Sequence, residues 1–231
     1  MARGSVLVVI QARTGSSRLP GKVLADLGGR PMLRFQLDRL AGLPRDHLVV
    51  ATTDRGTDDP VAELAGSAGV EVVRGPEQDV LGRFGMVIDA FPADTVVRLT
   101  GDCPLSDPHV IGDVIELHHR SGAAYTSNVH PRSFPRGLDV EAAKTTALAT
   151  AVEEAIDDYD REHVTPFLYR NPERFVMANL DSGEPLGDLS WTVDTSDDLA
   201  HLREIVASLP DPVNAGWREI LEVPEARRVS G

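Results

Sequence analysis

The segment 11–32, QARTGSSRLPGKVLADLGGRPM, is the part of the sequence best suited to bind an anion. It directly follows an apolar run, and its glycines and short hydroxyl side chains leave backbone N–H groups free to point at an oxyanion. Arg13, Arg18 and Lys22 add three cations within ten residues. Arginine can hold phosphate oxygens through two parallel hydrogen bonds, and lysine acts as a point charge. The segment therefore predicts a phosphate-binding loop, and the alternative is a solvated turn whose cations serve no ligand.

The glycine spacing of this loop fits neither a Walker A loop nor a dinucleotide-binding fingerprint. The loop therefore predicts phosphate contacts without naming the nucleotide. We expect Lys22 to lie in the loop outside the core, so that its loss changes thermal stability little. The residues expected to contact a nucleotide are Ala12, Arg13, Gly15, Ser16, Arg18, Lys22 and Thr100.

Two aspartates are placed where a divalent cation would be needed for phosphoryl transfer. Asp102 follows the apolar run 95–101, and Asp194 ends the run LSWTV. Mg²⁺ prefers oxygen ligands, and one or two carboxylates commonly hold it together with phosphates and water. We predict a Mg²⁺ site at Asp102 and Asp194, with a turn residue and a helix-start residue as the respective alternatives. Asp197 and Asp198 are expected to be charges at a helix N-terminus.

The second half of the chain carries polar residues suited to hold a small anionic substrate. FPRGLDVE contains Arg136 and Asp139, and YDREHVTP contains Arg161 and His163. Arg161 is expected to pair with an acidic group of this substrate, here called the acceptor. His163 is expected to hydrogen-bond the acceptor or to assist proton transfer. The alternative for YDREHVTP is a helix cap with a surface ion pair.

The elements that must position these residues alternate between strands and helices, which is typical of an α/β fold. Strands are predicted at 6–12, 47–52, 70–75 and 95–101, with helices at 31–42, 60–69, 77–91 and 107–121 between and after them. Later strands are predicted near 140 and at 174–180 and 189–195, and helices at 144–157, 160–170 and 195–209. We predict one domain over 1–231 with an open, mostly parallel Rossmann-like sheet. The residues 224–231 are expected to form a flexible tail.

Composition restricts the class of protein and its environment. The net charge of −13 argues against nucleic-acid binding, which requires a basic face. Cys103 is the single cysteine, so an internal disulfide is excluded, as suits a reducing compartment. No stretch approaches the ~20 apolar residues of a membrane span, and the N-terminus lacks a secretory apolar region. A cytoplasmic enzyme is expected, and homodimer formation is left open.

The loop resembles the R-x-x-S-x-R-L-P-x-K signature of cytidylyltransferases that make CMP-activated acidic sugars. The matching residues are Arg13, Ser16, Arg18, Leu19, Pro20 and Lys22. The stretches VVATTD, VVRLTGDCPL, GLDVE, DREHVTP and WTVDTSDDL also resemble the spore-coat polysaccharide members of that family, so the resemblance covers residues 5–209. Thr100 departs from the pattern, because an amide residue often precedes the Gly-Asp pair in sugar-acid synthetases.

The resemblance implies a fold of the nucleotide-diphospho-sugar transferase type and metal ligation by Asp102 and Asp194. It also implies transfer of CMP from CTP, with Mg²⁺, to a sugar acid or a phosphonate. Arg13, Lys22 and Asp102 are then the expected catalytic residues. Two alternatives remain, a glycosyltransferase of related fold and a nucleotide-binding protein without activity. GDCPLSD lacks the Asp-x-Asp spacing of the former.

Overall fold

The computed structural model describes residues 4–228 and contains a seven-stranded sheet beside a two-stranded ribbon. The strand order in the large sheet is β5-β4-β1-β6-β8-β7-β9, and β2 pairs with β3 in the ribbon. The strands are β1 Val6–Gln11, β2 Asp26–Leu27, β3 Arg30–Pro31, β4 His47–Thr53, β5 Glu71–Gly75, β6 Thr95–Thr100, β7 Tyr125–Ser127, β8 Glu141–Lys144 and β9 Met177–Asn179. Neighbouring strands of the large sheet are parallel except where β8 pairs with β6 and β7. The predicted open, mostly parallel α/β sheet is confirmed.

Helices cover both faces of the sheet, which explains why the central strands are apolar throughout. Val8 and Ile10 of β1 pack into one core, and Leu7 and Val9 pack into the other. The helices are α1 Met32–Arg39, α2 Asp59–Ser67, α3 Val80–Ala90, α4 Pro108–Ser121, α5 Thr145–Glu154, α6 Asp158–His163, α7 Pro166–Tyr169, α8 Ser196–Ser208 and α9 Trp217–Leu221.

The start of α8 agrees with the sequence prediction. Thr195 is the N-cap residue, and its side chain and that of Asp198 form a reciprocal capping box. Asp198 is therefore a helix-start charge, as expected. The predicted helix 160–170 is instead two short helices, α6 and α7, separated by a turn at Val164.

Two predictions for the last third of the chain are wrong. Residues 189–195 form no strand, because their backbone makes only one isolated bridge, between Arg136 and Ser190. The predicted tail is ordered over residues 224–227, which form a 3-10 turn with Ala226 fully buried. Trp191 Nε1 donates a hydrogen bond of 2.9 Å to the Ala226 carbonyl, which holds this turn against the core. Residues 229–231 of the predicted tail lie outside the described part.

The polar segments converge at one edge of the large sheet. β1 and β6 are parallel and end there, whereas β8 is antiparallel and begins there. The loops after β1 and β6 therefore meet the segment that leads into β8, as expected at the carboxyl ends of parallel strands. Among the described residues, none of the helices combines the length and the apolar character needed to span a bilayer.

Candidate functional site

The predicted phosphate loop begins where β1 ends and borders a cavity of about 240 Å³, here called the loop cavity. A buried aspartate fixes the loop: Asp58 Oδ1 accepts hydrogen bonds from the Thr14 N–H at 2.7 Å and from the Thr14 hydroxyl at 2.6 Å. Gly101 allows the loop after β6 to approach closely, since a Cβ there would lie 2.9 Å from the Ala12 Cβ. Ala12, Arg13, Gly15, Ser16, Arg18, Lys22, Thr100 and Asp102 all line the loop cavity.

Backbone donors in the loop are left without partners. Within residues 4–228, the N–H groups of Gly15, Ser17 and Arg18 donate no hydrogen bond. Neighbouring groups stabilise the loop instead, because the Ser16 and Gly21 N–H groups both donate to the Thr14 carbonyl at 2.8 Å. Several unpartnered N–H groups beside a cavity suit the binding of an anion.

The two loop arginines approach carboxylates at the border of the loop cavity. Arg13 Nη1 lies 3.6 Å from Glu77 Oε1, and Arg18 Nη2 lies 2.9 Å from Asp194 Oδ1. Each arginine retains much of its exposure, and Arg18 is 63% exposed. Exposed ion pairs of this kind contribute little to stability. Both guanidinium groups can therefore exchange these carboxylates for phosphate oxygens at small cost.

Lys22 differs from the expectation of a loop cation outside the core. It is buried, and its Nζ donates to the Val193 carbonyl at 2.6 Å, to Asp194 Oδ1 at 2.9 Å and to Asp102 Oδ2 at 3.3 Å. The Lys22 ammonium thus lies within ion-pair distance of both carboxylates. The expectation that Lys22 lies outside the core is therefore wrong, because its ammonium joins the loops after β1 and β6 to the segment before α8.

The two aspartates predicted as metal ligands lie together, on either side of the Lys22 ammonium. Burial alone would raise the pKa of Asp102, but the Lys22 charge and hydrogen bonds from Thr100 and Lys22 lower it overall. No group of three or more His, Cys, Asp or Glu side chains suited to a metal exists within residues 4–228. Two carboxylates fit Mg²⁺, which takes its remaining ligands from phosphates and water. The donor set thus fits the predicted ion.

Cys103 follows Asp102 but lacks the chemistry of a nucleophile. Its side chain is buried, and this burial, with the nearby negative charge of Asp102, raises the pKa of the thiol well above its ordinary value. Only the thiolate is an effective nucleophile. Cys103 therefore packs as a protonated side chain beneath the site.

A second cavity of about 560 Å³, here called the adjacent cavity, lies beside the loop cavity. Thr100 lines both, so the two spaces meet at the end of β6. The other residues of the adjacent cavity are Arg98, Val129, His130, Arg132, Arg136, Asp139, Glu141, Tyr159, His163, Thr165, Pro166 and Tyr169. Three of the four residues predicted to bind an acceptor, Arg136, Asp139 and His163, are among them.

The arginine and carboxylate side chains that line the adjacent cavity form ion pairs with one another, with the exception of one arginine. Arg132 and Asp139 form a two-pronged ion pair with distances of 2.6 and 2.7 Å. Arg136 is exposed, and within the described part its guanidinium has no hydrogen-bond or ion-pair partner. Gly137 holds the backbone here at φ +98°, where a Cβ would lie 2.7 Å from the Trp191 backbone. Arg136 is therefore the side chain available to an incoming anion.

Arg161 does not line either cavity, contrary to the prediction that it binds the acceptor. Its Nε and Nη2 donate to the two Asp79 carboxylate oxygens at 2.8 and 2.6 Å, and its Nη1 donates to the Val152 and Ala155 carbonyls. The guanidinium thus joins α6 to the start of α3 through Asp79 and to the end of α5 through Val152 and Ala155. Arg161 therefore has a scaffold role, whereas Arg136, also predicted to bind the acceptor, lines the adjacent cavity.

Aromatic rings form one wall of the adjacent cavity. His163 packs on Tyr159 with ring centroids 4.3 Å apart, and His130 packs on Tyr169 at 4.4 Å. Burial, with the neighbouring Tyr159, raises the pKa of Tyr169 to about 12. Tyr169 therefore presents a neutral ring, and aromatic rings of this kind suit packing against an apolar face of a substrate.

Sequence reasoning missed Arg98 and Arg132 as cavity residues. Arg98 carried a usable signal, because a charged side chain within the apolar run TVVRLTG requires a partner or a function. The sequence around Arg132 carried no such signal, since the position of Arg132 depends on the fold of the segment before β8.

Comparison with known proteins adds a family assignment and close relatives. The family model described as "Cytidylyltransferase" matches residues 7–217. The chain is 37% identical to an uncharacterized protein of Methanocaldococcus jannaschii, covering 94% of this chain and 89% of the relative. It is 34% identical to the spore coat polysaccharide biosynthesis protein SpsF of Bacillus subtilis, covering 87% and 85%. A 3-deoxy-manno-octulosonate cytidylyltransferase of Aeromonas hydrophila is 39% identical over 48% of this chain and 46% of its own length.

Solved structures agree with this assignment. A cytidylyltransferase from Leptospira borgpetersenii superposes with a TM-score of 0.92 at 29% identity, covering 98% of each chain. A CMP:2-keto-3-deoxy-manno-octonic acid synthetase complexed with CTP superposes with a TM-score of 0.66 at 19% identity, covering 88% of this chain and 98% of the other. At that identity the second likeness shows a shared fold.

Proposed function

The chain belongs to the cytidylyltransferase family and is a CTP-dependent nucleotidyltransferase, and from that premise we propose that it transfers CMP to a small anionic acceptor. The acceptor is a sugar acid or a phosphonate, and pyrophosphate is released. The observation that carries this proposal is the meeting of two cavities at Thr100. One cavity is bordered by the phosphate loop, and the other contains the unpartnered Arg136.

The reaction joins an acceptor oxygen to the α-phosphorus of CTP. As the new P–O bond forms, the bond from the α-phosphorus to the bridging oxygen breaks, and pyrophosphate leaves with the electron pair. Arg13, Arg18 and the unpartnered N–H groups of the loop hold the phosphate oxygens, and they are directed at charge that grows as pyrophosphate departs. Asp102 and Asp194 would hold Mg²⁺, which would supply further positive charge beside the phosphates.

The adjacent cavity orients the acceptor for attack. Arg136 attracts the acidic group, and the carboxylate of Asp139 accepts hydrogen bonds from hydroxyl groups of the acceptor. A phosphonate attacks with an oxygen that is already ionised and needs no general base. A sugar acid that attacks through a hydroxyl must lose a proton, and His163 lies in the cavity where that proton is released.

The relative from Aeromonas hydrophila is a cytidylyltransferase for a sugar acid, which supports the sugar-acid alternative for this chain. The size of the adjacent cavity, about 560 Å³, suits a substrate of several carbons. We further expect the enzyme to act in the cytoplasm with CTP as its nucleotide. A homodimer is an expectation that light scattering checks.

A pyrophosphate-release assay with Mg²⁺ tests the proposal. CTP, UTP, ATP and GTP are each combined with a panel of sugar acids, phosphonates and neutral sugars, and Asp102→Asn is the inactive control. We expect pyrophosphate only from CTP with an acidic acceptor. Tight CTP binding without pyrophosphate favours an inactive nucleotide-binding protein. Release of free CMP from a CMP-sugar favours a glycosyltransferase.

A further inference from the structure

We propose that Arg98 is a further substrate-contacting residue at the junction of the two cavities, and that Glu141 and Thr165 are the positioning residues that fix it. This inference rests on the proposed function, because it assigns Arg98 to the acceptor of CMP transfer.

Arg98 lies on β6 at the point where the two cavities approach each other. Side chains two residues apart on a strand share one face, so Arg98 and Thr100 point the same way. Val97 and Leu99 point to the opposite face and into a core. Thr100 lines both cavities and Arg98 lines the adjacent one. Arg98 is therefore one side-chain layer below the place where CTP and the acceptor meet.

The guanidinium of Arg98 is fixed from two sides. Its Nε donates to Gln11 Oε1 at 3.0 Å, and its Nη1 donates to Glu141 Oε2. Gln11 lines the loop cavity, so Arg98 joins the end of β1 to the wall of the adjacent cavity. Its Nη2 donates no hydrogen bond within residues 4–228 and is the donor left for a substrate oxygen.

Glu141 cannot take the substrate role itself. Its Oε1 already accepts hydrogen bonds from the Tyr125 and Thr165 hydroxyls, both at 2.5 Å, and its Oε2 accepts from Arg98. Burial alone would raise the pKa of Glu141, but Arg98 and the hydroxyls of Thr165 and Tyr125 lower it. The carboxylate is thus ionised and fully engaged, and it serves to aim the guanidinium.

Thr165 reaches Glu141 from an unusual turn between α6 and α7. The Thr165 N–H donates to the His163 carbonyl at 2.9 Å, and Val164 between them has φ +74° and ψ −55°. These values describe a γ-turn, which is rare and strained, and a β-branched residue makes it more so. Such strain persists where the surrounding structure demands it, frequently at functional sites. Here the turn places both Thr165 and His163 in the wall of the adjacent cavity.

The charge of Arg98 is balanced by Glu141, so it acts as a hydrogen-bond donor of fixed direction. Arg136 attracts the acceptor, and Arg98 would orient one of its oxygens toward Thr100 and the phosphates. Removing a hydrogen bond that holds Glu141 and Arg98 in place should therefore lower kcat/KM for the acceptor and leave CTP binding unchanged.

The test compares Thr165→Val with Thr165→Ser and Arg98→Lys. The acceptor probe is 3-deoxy-manno-octulosonate or 2-hydroxyethylphosphonate, whichever the wild type uses. Steady-state kinetics with each substrate varied, calorimetric binding of CTP and of the probe, and thermal unfolding are measured for each protein. We expect Thr165→Val to lower kcat/KM for the acceptor about tenfold, the scale of one lost hydrogen bond to a charged group, with the CTP Kd within twofold of wild type. Thr165→Ser should restore wild-type values.

Arg98→Lys should lower acceptor kcat/KM at least as much as Thr165→Val, because lysine keeps the charge but cannot bridge Gln11, Glu141 and a substrate. The double variant Arg98→Lys/Thr165→Val should be no worse than Arg98→Lys, as expected for residues acting as one unit.

Any of three results would overturn the inference. The first is an equal loss of acceptor kcat/KM in Thr165→Val and Thr165→Ser, and the second is a fully additive loss in the double variant. The third is a CTP Kd that rises together with the acceptor KM. If the wild-type protein releases no pyrophosphate, the proposed function is refuted instead. Calorimetric binding of the acceptor probe to the wild type and the variants then decides the inference about Arg98. Absence of probe binding by the wild type overturns both.

Discussion

Removing the Lys22 ammonium should disable the enzyme and also destabilise the fold. Lys22 Nζ donates to the carbonyl of Val193 and to the carboxylates of Asp102 and Asp194, over distances of 2.6 to 3.3 Å. Lys22→Ala removes the buried cation that lies between the two carboxylates, and only the exposed Arg18 still pairs with Asp194.

The magnitude follows from the burial of the partners. Hydrogen bonds to charged groups contribute about 1.5–3 kcal/mol where they are buried. Both carboxylates remain about one-third exposed, so solvent screening favours the lower end of that range. We expect the free energy of unfolding to fall by about 2 kcal/mol, which lowers Tm by roughly 4–8 °C in a chain of this size. Transition-state stabilisation should fall by about 2–4 kcal/mol, the scale of one lost preorganised contact.

Initial rates of pyrophosphate release and scanning calorimetry measure the two effects on the same preparation. Lys144→Ala is the matched control, because Lys144 is the other lysine of the chain and donates to the Gly122 carbonyl far from both cavities. Mg²⁺ should raise the Tm of Lys22→Ala more than that of wild type, since the ion can bridge the two carboxylates. Activity within a few-fold of wild type, or an equal loss in Lys144→Ala, would refute this account of Lys22.

Four further substitutions test the remaining assignments. Asp102→Asn and Asp194→Asn should each abolish Mg²⁺-dependent turnover, because an amide is a poor ligand for a hard cation. The double variant should lose little more turnover than either single variant, as expected for residues acting as one unit. Additive losses in turnover would mean that the two aspartates share no metal. Arg136→Gln should raise the acceptor KM 10- to 100-fold while the CTP Kd, measured by calorimetry, stays constant; an increase in the CTP Kd would place Arg136 on the nucleotide. Arg161→Lys should leave both KM values within twofold and lower the free energy of unfolding at pH 7 by about 1 kcal/mol. The hydrogen bonds from Arg161 lower the pKa of Asp79 in the folded state. The stabilisation by this ion pair is therefore present above the ordinary carboxyl pKa and is lost as the pH falls through the folded-state pKa of Asp79. A difference in the free energy of unfolding between wild type and Arg161→Lys that persists at pH 2 would contradict the pairing.

Local patterns were sufficient for the first half of the fold. β1 is a continuous apolar run from Val6 to Ile10, and β6 is an apolar run interrupted at Arg98. Turn signals bound both runs, and this pattern does not depend on distant residues. Residues 189–195 show the limit of such reasoning. Their sequence favours an extended chain, but a strand also needs a partner, and only Ser190 forms a bridge. The order of residues 224–227 likewise depends on Trp191, which lies far away in the sequence.

The candidate site could be predicted by residue type but not by pairing. The loop cations, Asp102 and Asp194 lie together as the sequence indicated. Which cation meets which anion depends on contacts between residues far apart in the chain. Lys22 binds Asp194, and Arg161 binds Asp79 from 82 positions away. An arginine in a polar motif therefore predicts an anion nearby, and only the fold decides whether that anion is a substrate or a side chain.

Isotope tracing of the transferred phosphorus tests the central claim most directly. The wild-type enzyme is incubated with CTP, Mg²⁺ and an acidic acceptor labelled with ¹⁸O at its attacking oxygen, and the products are followed by ³¹P NMR. The account predicts that the labelled oxygen becomes bonded to the α-phosphorus of a CMP conjugate while unlabelled pyrophosphate accumulates in equal amount. Label in the pyrophosphate, or CMP that carries no acceptor, would contradict transfer of CMP by direct attack at the α-phosphorus.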